Sequence, residues 1–449
     1  MSERALENTA TKVTSTRNVK PWWMPSKSYV LRFGPSIVCE IGWWILALTD
    51  PKLHFGRYTR DTPFTGKYWY MAVTMIFGSI VAGLTSEGGG AVAFPVMTLA
   101  LGVPPAVARD FSFAIQSFGM TCAAINIFGL GAPVDKEALI WASLGGSVGL
   151  AVGLEFVAPR LPPAYAKMLF VSLWAAFAVA LYRLNQRKER KVFDSSRHAD
   201  KILVAMTIAG NQDARGKKME AGEGNVMSSD QGANGDEGES QAMKASIQTR
   251  RSKKMKDVSS NSIDSISENI KAKRWRVFLI CVVGIFGGVI SSIAGSGIDM
   301  ASFSILTLYF RVSEKVATPT SVVLMAVNAC LGIAFRAMGL GTGKIDGAVW
   351  DFLAVCIPIV VWGAPLGATI ASYLHRLTIS NVLYFLDTVQ FVVALAIIKP
   401  WSKPFPNNVG LCVSSVATIV FGSLFFHVIA HLGEERDRIV KETDSKIYN

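Results

Sequence analysis

The chain alternates long apolar runs with short polar stretches along most of its length. An α-helix needs about 20 mostly apolar residues to cross the hydrocarbon core of a bilayer. The pattern predicts membrane helices over about 106–130, 136–157, 164–184, 315–338, 347–373, 378–398 and 409–431. A shorter run, about 34–49, predicts an additional helix near the N-terminus. We therefore expect an all-α, polytopic membrane protein.

Two further apolar segments are interrupted by glycine. The segment 68–101 is broken at Gly88, Gly89 and Gly90, and the segment 276–310 is broken at Gly295, Ser296 and Gly297. The piece after the first break rises only about 17 Å as a helix, which is less than a hydrocarbon core of about 30 Å. Each segment is therefore predicted to be a re-entrant or broken-helix hairpin whose turn lies within the membrane. An ordinary pair of helices is the alternative.

The two hairpins belong to an internal repeat with an offset of 209 residues. Residues 77–119 align without a gap on residues 286–328, and Phe77, Gly88, Phe94 and Ser112 are among ten identical pairs. Small residues also recur every fourth position on one later helix of each half, at Gly145, Gly149 and Gly153 and at Gly363, Gly367 and Ala371. Such stripes let helices approach closely, in mobile or in static packing.

The repeat predicts how the chain is organised in the membrane. Each half makes an odd number of crossings, so the halves should insert with opposite orientation. The expected regions are a basic tail, additional helix and loop (1–67), a first repeat (68–185), a disordered linker (186–274), a second repeat (275–398), and a last helix and tail (399–449). Basic clusters beside the membrane segments predict that the linker and both termini are cytoplasmic, in the plasma membrane or an internal membrane.

Composition narrows the function classes. The net charge of +12 comes from basic residues beside apolar runs and in the linker, without the interleaved aromatic residues typical of nucleic-acid binding. We therefore expect no nucleic-acid partner, while the linker could bind cytoplasmic proteins. The six cysteines lie within apolar segments and show no disulfide or metal-site spacing. No metal ligand set or cofactor is predicted, since His427 and His431 have no third ligand near them in the sequence.

The chemistry expected at the two breaks suits an anion. Inverted halves would bring both turns to a shared point near the middle of the bilayer, where transporters commonly bind substrate. The short helices after the turns would direct free backbone N–H groups and positive dipole ends at that point. Polar side chains nearby could complete the site. The predicted binding residues are Gly88, Gly89, Gly90, Arg109, Ser112, Gln116, Gly295, Ser296, Gly297, Thr320, Ser321 and Asn328.

Several of these residues have plainer interpretations. Hydroxyl and amide side chains in membrane helices often only bridge neighbouring helices, and Arg109 with Asp110 could be a pair at the lipid–water interface. Three acidic residues, Glu87, Asp299 and Asp387, fall inside predicted membrane segments, where ionisable groups are costly and suggest function. They are candidates for proton coupling, although Asp387 could instead be a hydrogen-bonded helix contact.

The residues from Phe77 to Pro95 resemble the signature of the TauE/SafE sulfite exporter family, and Phe286 to Phe303 resembles its second copy. Gly145 to Pro163 and Gly363 to Leu377 are also similar to that family's pattern. The resemblance implies secondary transport, usually export, of sulfite or organosulfonate anions without a covalent cofactor. The second turn departs from the pattern, because it lacks a triple glycine and has Ser304 where the first copy has Pro95.

We therefore expect a transporter, not an enzyme. Its partners would be a small sulfur-containing anion and the lipid bilayer. A membrane-embedded enzyme and a passive anion channel or sensor are the alternatives. An enzyme would need clustered catalytic residues that this sequence does not display, and a channel would give flux that does not saturate.

Overall fold

The computed structural model describes residues 28–49, 69–85, 87–186, 273–341, 343–374, 376–399 and 407–448. We number the helices in chain order. They are α1 (Ser28–Thr49), α2 (Trp69–Leu84), α3 (Gly88–Pro95), α4 (Pro105–Leu130), α5 (Lys136–Val152), α6 (Pro163–Gln186), α7 (Lys273–Ala294), α8 (Ile298–Ser304), α9 (Glu314–Ala337), α10 (Gly347–Tyr373), α11 (Arg376–Ile398) and α12 (Asn407–Tyr448). The predicted linker lies almost entirely outside the described residues.

The prediction of an all-α polytopic membrane protein is confirmed. The described residues contain eight helices that are long and apolar enough to span a bilayer, and no strand is assigned among them. Helix α1 is not one of the eight, because Arg32, Pro35 and Glu40 interrupt its apolar surface. Whether α1 crosses the membrane therefore stays a prediction.

Both predicted breaks are present. Helix α2 ends at Leu84 and α3 begins at Gly88, while α7 ends at Ala294 and α8 begins at Ile298. Each break contains a glycine in the left-handed region, Gly88 with φ +76° and Gly295 with φ +81°, where a side chain would be strained. Each short helix then continues into a π-helical turn, Val96–Ala100 after α3 and Ile305–Tyr309 after α8. These two turns are related by the repeat offset.

The two halves pack into one another through the glycine stripes. A Cβ atom at Gly149 on α5 would overlap the carbonyl oxygen of Ile285 on α7, and one at Gly367 on α10 would overlap that of Ile80 on α2. The stripe helix of each half thus lies directly against the hairpin of the other half. Close backbone contact of this kind requires glycine.

Two helices that lie outside the repeats pack against the flanks of the repeats. Helix α1 packs against α4 and α10, and α12 packs against α6 and against the π-helical turn after α8. Helix α12 contains 42 residues and continues well beyond the predicted end at 431. The charged C-terminal segment therefore continues the last helix as far as Tyr448.

Candidate functional site

The two breaks meet in the interior of the protein. The Ser296 hydroxyl is 3.0 Å from the backbone carbonyl oxygen of Glu87 and can donate a hydrogen bond to it. A Cβ atom at Gly90 would lie 3.1 Å from Ser296 Cβ, which is a tight contact, so the two turns pack closely here. Glu87 and Ser296 are both fully buried. The two turns, which the sequence predicted in separate halves, therefore contact one another directly.

Gln116, on α4, connects the two turns. Its Nε2 donates a hydrogen bond to the carbonyl oxygen of Gly295 at 3.2 Å, and the same amide group lies so close to Gly90 that a side chain there would overlap it. Its Oε1 is buried without a hydrogen-bond partner among the described residues. Gln116 is therefore a predicted polar residue that contacts both turns from a third element.

The second turn is capped by the protein's own side chains. The Gly297 N–H donates to Asp299 Oδ1 at 2.6 Å, and the Ile298 N–H donates to Ser291 Oγ at 3.1 Å. Asp299 Oδ2 is also 2.7 Å from Ser296 Oγ. The sequence predicted free N–H groups at both turns, but at the second turn the first two are occupied. The physical reason is that an Asp two residues after a glycine can fold back onto that glycine's amide.

The first turn is different. Among the residues that the structure describes, which exclude Ser86, no side chain caps the start of α3, and the Glu87 N–H donates a hydrogen bond to Thr85 Oγ1 at 3.3 Å. The position equivalent to Asp299 is Gly90, which has no side chain with which to cap the helix. The Asp299 cap of the second turn therefore has no counterpart at the equivalent position of the first turn, although the repeat relates the two turns.

Three acidic residues that the sequence predicted as separate candidates, Glu87, Asp299 and Asp387, lie close together. The carboxyl group of Glu87 interacts with that of Asp387, which comes from α11, and Asp299 is close enough to act on Glu87 electrostatically. All three side chains are buried. None of the four carboxyl oxygens of Glu87 and Asp387 has a hydrogen-bond partner within 3.5 Å among the described residues. Such an arrangement is costly unless protons or another ligand occupy it.

A buried cluster of charges lies beside the second turn. Arg336, from α9, donates to Asp110 through Nε at 3.0 and 3.1 Å and through Nη2 at 2.9 Å, while Arg109 Nε donates to the same carboxylate at 2.9 Å. Each of these three residues is 3% exposed, so the Arg109–Asp110 pair lies in the interior of the protein. Two guanidinium groups and one carboxylate leave one net positive charge. The backbone of Arg109 adjoins the turn, because a Cβ at Gly295 would lie 2.8 Å from its carbonyl oxygen.

The remaining predicted residues are buried, and most of their hydroxyl groups bond to backbone. Ser112 donates to the Ala108 carbonyl and Ser321 to the Thr318 carbonyl, each at 2.8 Å. Thr320 donates to the Val316 carbonyl and accepts from the Asp135 N–H at 2.9 Å, so it fixes the start of α5. Asn328 keeps a buried Oδ1 without a partner among the described residues. Ser112 is also adjacent to Gly295.

Sequence reasoning missed two residues of this site. Met325 lies against Gly88, where a Cβ would overlap its Sδ atom, and it is the repeat counterpart of Gln116. Arg336 supplies the second guanidinium group on Asp110. The repeat register could have identified Met325, and the position of Arg336 near the end of an apolar run could have drawn attention to it.

The comparison with protein families gives a match over most of the chain. The family model described as Sulfite exporter TauE/SafE matches residues 70–395. Searches of curated proteins and of solved structures gave no match. The matched region includes both turns and α2 to most of α11, whereas α1 and α12 lie outside it.

Proposed function

Because the chain belongs to the sulfite exporter TauE/SafE family, we propose that it is a secondary transporter that exports sulfite, an organosulfonate or a related small sulfur-containing anion by alternating access. Family membership supports the broader statement, a membrane transporter of sulfite or related anions. The contact between the two interrupted helices at the buried centre, through Ser296 and Glu87, is the observation that carries the finer proposal.

The contacts across the repeat support a local two-fold arrangement of the halves. In a two-fold assembly, residues beside the axis contact their own counterparts. Ser296 contacts Glu87, and Cys330 Sγ lies 3.6 Å from Thr121 Oγ1; both pairs are separated by the repeat offset. We infer that these pairs lie along the pseudo-two-fold axis and that the halves have opposite orientation in the membrane. Rocking of one half against the other about this axis would open the site to each side in turn.

The unequal turns favour the first as the anion site. Among the described residues no side chain caps the start of α3, whereas Asp299 and Ser291 accept hydrogen bonds from the Gly297 and Ile298 N–H groups at the start of α8. Gly88, Gly89 and Gly90 would allow an oxyanion to approach the backbone of the first turn. Arg109 and Arg336 supply the net positive charge nearby. The other predicted binding residues would shape the site around this turn. They are Ser112, Gln116, Gly295, Ser296, Gly297, Thr320, Ser321 and Asn328.

The buried acids give a reason to expect proton coupling. An anion placed beside Glu87 is repelled if that carboxyl group, or Asp387 or Asp299, is ionised, and the repulsion is strong in an apolar interior. The repulsion is removed when the carboxyl group carries a proton. Binding of the anion and binding of a proton should therefore favour one another, which is the condition for coupled transport.

Transport by the purified full chain in liposomes tests the proposal. We expect saturable flux of radiolabelled sulfite that responds to an imposed pH gradient. Glu87→Gln and Asp387→Asn should abolish the response to the gradient while sulfite exchange continues. Glu155→Gln is the matched control, because the Glu155 carboxylate accepts a hydrogen bond from the Gly341 N–H and is not one of the three acids at the turns.

Three results would contradict parts of this proposal. Flux that rises linearly with concentration would indicate a channel. Absence of flux for sulfite and for simple sulfonates would exclude the substrate class. An unchanged gradient response in both carboxyl variants would exclude these acids as the coupling groups.

A further inference from the structure

A deep apolar groove separates α12 from the second hairpin. Its volume is about 740 Å³, and its walls come mainly from α7, α8 and α12, including Leu279, Phe286, Met300, Ala417 and Phe425. Phe286 and Phe425 are also half exposed on the outer surface of the helices. The groove depends on α12, which lies outside the region matched by the family, so it is a feature of this chain's additional helix.

One end of the groove is aromatic and cationic. Trp275 and Tyr309 line this end, and the Trp275 Nε1–H donates to the Tyr309 hydroxyl at 3.4 Å. The guanidinium carbon of Arg436 lies 5.7 Å from the Tyr309 ring centroid and 5.2 Å from that of Phe310. Tryptophan and tyrosine at the end of membrane helices are typical of the lipid–water interface. This end of the groove is therefore expected at headgroup level.

Arg436 differs from two other arginines near this end, Arg276 and Arg311. Arg276 is neutralised by Asp135 and Glu137, and Arg311 is paired with Glu434. Within the described part of the chain, Arg436 makes ring contacts but has no ion pair. Its positive charge is therefore available to an anionic group at the mouth of the groove.

We propose that the groove binds an acyl chain of an anionic phospholipid, with the phosphate-bearing headgroup at Arg436. Along α12 the lining residues run from Ala417 to Leu432, a rise of about 22 Å, which exceeds the roughly 15 Å depth of one leaflet's hydrocarbon. Trp275 lies just after the linker, on the side that the basic flanks assign to the cytoplasm, where anionic lipids concentrate. The bound chain would also contact Ser304 and Ala301 on the back of α8, the helix that carries Asp299.

Lipid retention by the purified full chain tests this proposal. We would compare native mass spectra and melting temperatures after exchange into phosphatidylglycerol or into phosphatidylcholine. The expected result is one retained phosphatidylglycerol and a higher melting temperature with that lipid. Arg436→Gln should weaken its binding about fivefold, the effect of one basic residue near an anionic lipid surface. Ala417→Trp should fill the groove and remove the bound lipid.

Matched controls lie on the same helix. Arg438→Gln removes an exposed charge that has no ring contact within the described part of the chain. Val416→Trp adds the same bulk at a position that is 60% exposed and outside the groove lining. Both should retain the lipid. Equal retention of the two lipids, retention unaffected by Arg436→Gln and Ala417→Trp, or a dimer that Ala417→Trp converts to monomer would each overturn the proposal. None of these measurements involves transport, so they are independent of the proposed function.

Discussion

Removing the side-chain cap of the second turn should make the protein's stability depend on small anions. In Asp299→Ala the Gly297 N–H loses its 2.6 Å hydrogen bond inside a fully buried site. An unsatisfied buried donor costs about 1–3 kcal/mol, which is the expected loss in the free energy of unfolding. The Ser296 hydroxyl contributes little to this loss, because it can still donate to the Glu87 carbonyl oxygen.

The same change leaves space where a carboxylate was held. Formate, which has the shape of the deleted carboxylate, should therefore bind to the variant and restore stability. A ligand at ten times its dissociation constant stabilises the native state by about 1.4 kcal/mol, a substantial part of the loss. The measurement is a denaturant titration of purified protein with and without sodium formate, with sodium chloride at equal ionic strength for comparison. Sulfite should act in the same way if it can occupy this turn.

Asp299→Asn is the matched control, because the amide keeps an oxygen that can accept from the Gly297 N–H. It should lose less stability than Asp299→Ala and should not respond to formate. If the two variants are equally destabilised, the hydrogen bond to Gly297 is not what Asp299 contributes. If formate affects Asp299→Ala no more than it affects the unmodified protein, the second turn is not an anion-sized donor site, and the reasoning about both turns fails.

Three further predictions concern the packing around the site. Asp110→Asn should lower the free energy of unfolding by about 3–5 kcal/mol, because it leaves two buried guanidinium groups without their carboxylate. A denaturant titration measures this loss, and an effect below 1 kcal/mol would contradict the prediction. Gly367→Leu should abolish sulfite flux by forcing α10 away from α2, whereas Gly347→Leu, whose Cβ meets nothing within 4 Å, should not; equal flux would contradict the packing argument. Mild oxidation should cross-link Cys39 to Cys122, whose sulfur atoms are 3.9 Å apart, and mass spectrometry of peptides should find this link absent from Cys39→Ser.

Much of the fold follows from the sequence because apolar run length and glycine position are local properties. The predicted helix over 347–373 coincides with α10, and both glycine breaks lie where the interrupted segments place them. The repeat also relates features outside the glycine breaks, because the π-helical turns after α3 and α8 are separated by the same offset. The end of α12 was missed because its last residues are polar, and apolar run length says nothing about a helix that continues into water.

The site was less predictable, because its key contacts join residues far apart in the chain. Asp387 was nominated as an isolated buried acid, and its spacing from Glu87 gives no sign that the two carboxyl groups meet. Arg336 reaches Asp110 across the two halves in a similar way. The cap formed by Asp299 is the exception, since an Asp two residues after Gly297 is a local signal that sequence reasoning could have used.

Residue differences between the duplicated halves explain why the two turns of the site differ. The repeat places Gly90 opposite Asp299 and Ser296 opposite Glu87, so each turn has one acid at a position where its counterpart has a neutral residue. The duplicated backbone brings the turns together, while these substitutions give the second turn a carboxyl group that caps Gly297 and give the first turn a glycine at the equivalent position. Two identical turns would offer equivalent sets of backbone N–H donors. A proton would then have no reason to bind at one turn in preference to the other. Under the proposed function, divergence of these two residue pairs would separate the roles, with the first turn suited to a transported anion and the buried acids suited to a coupled proton.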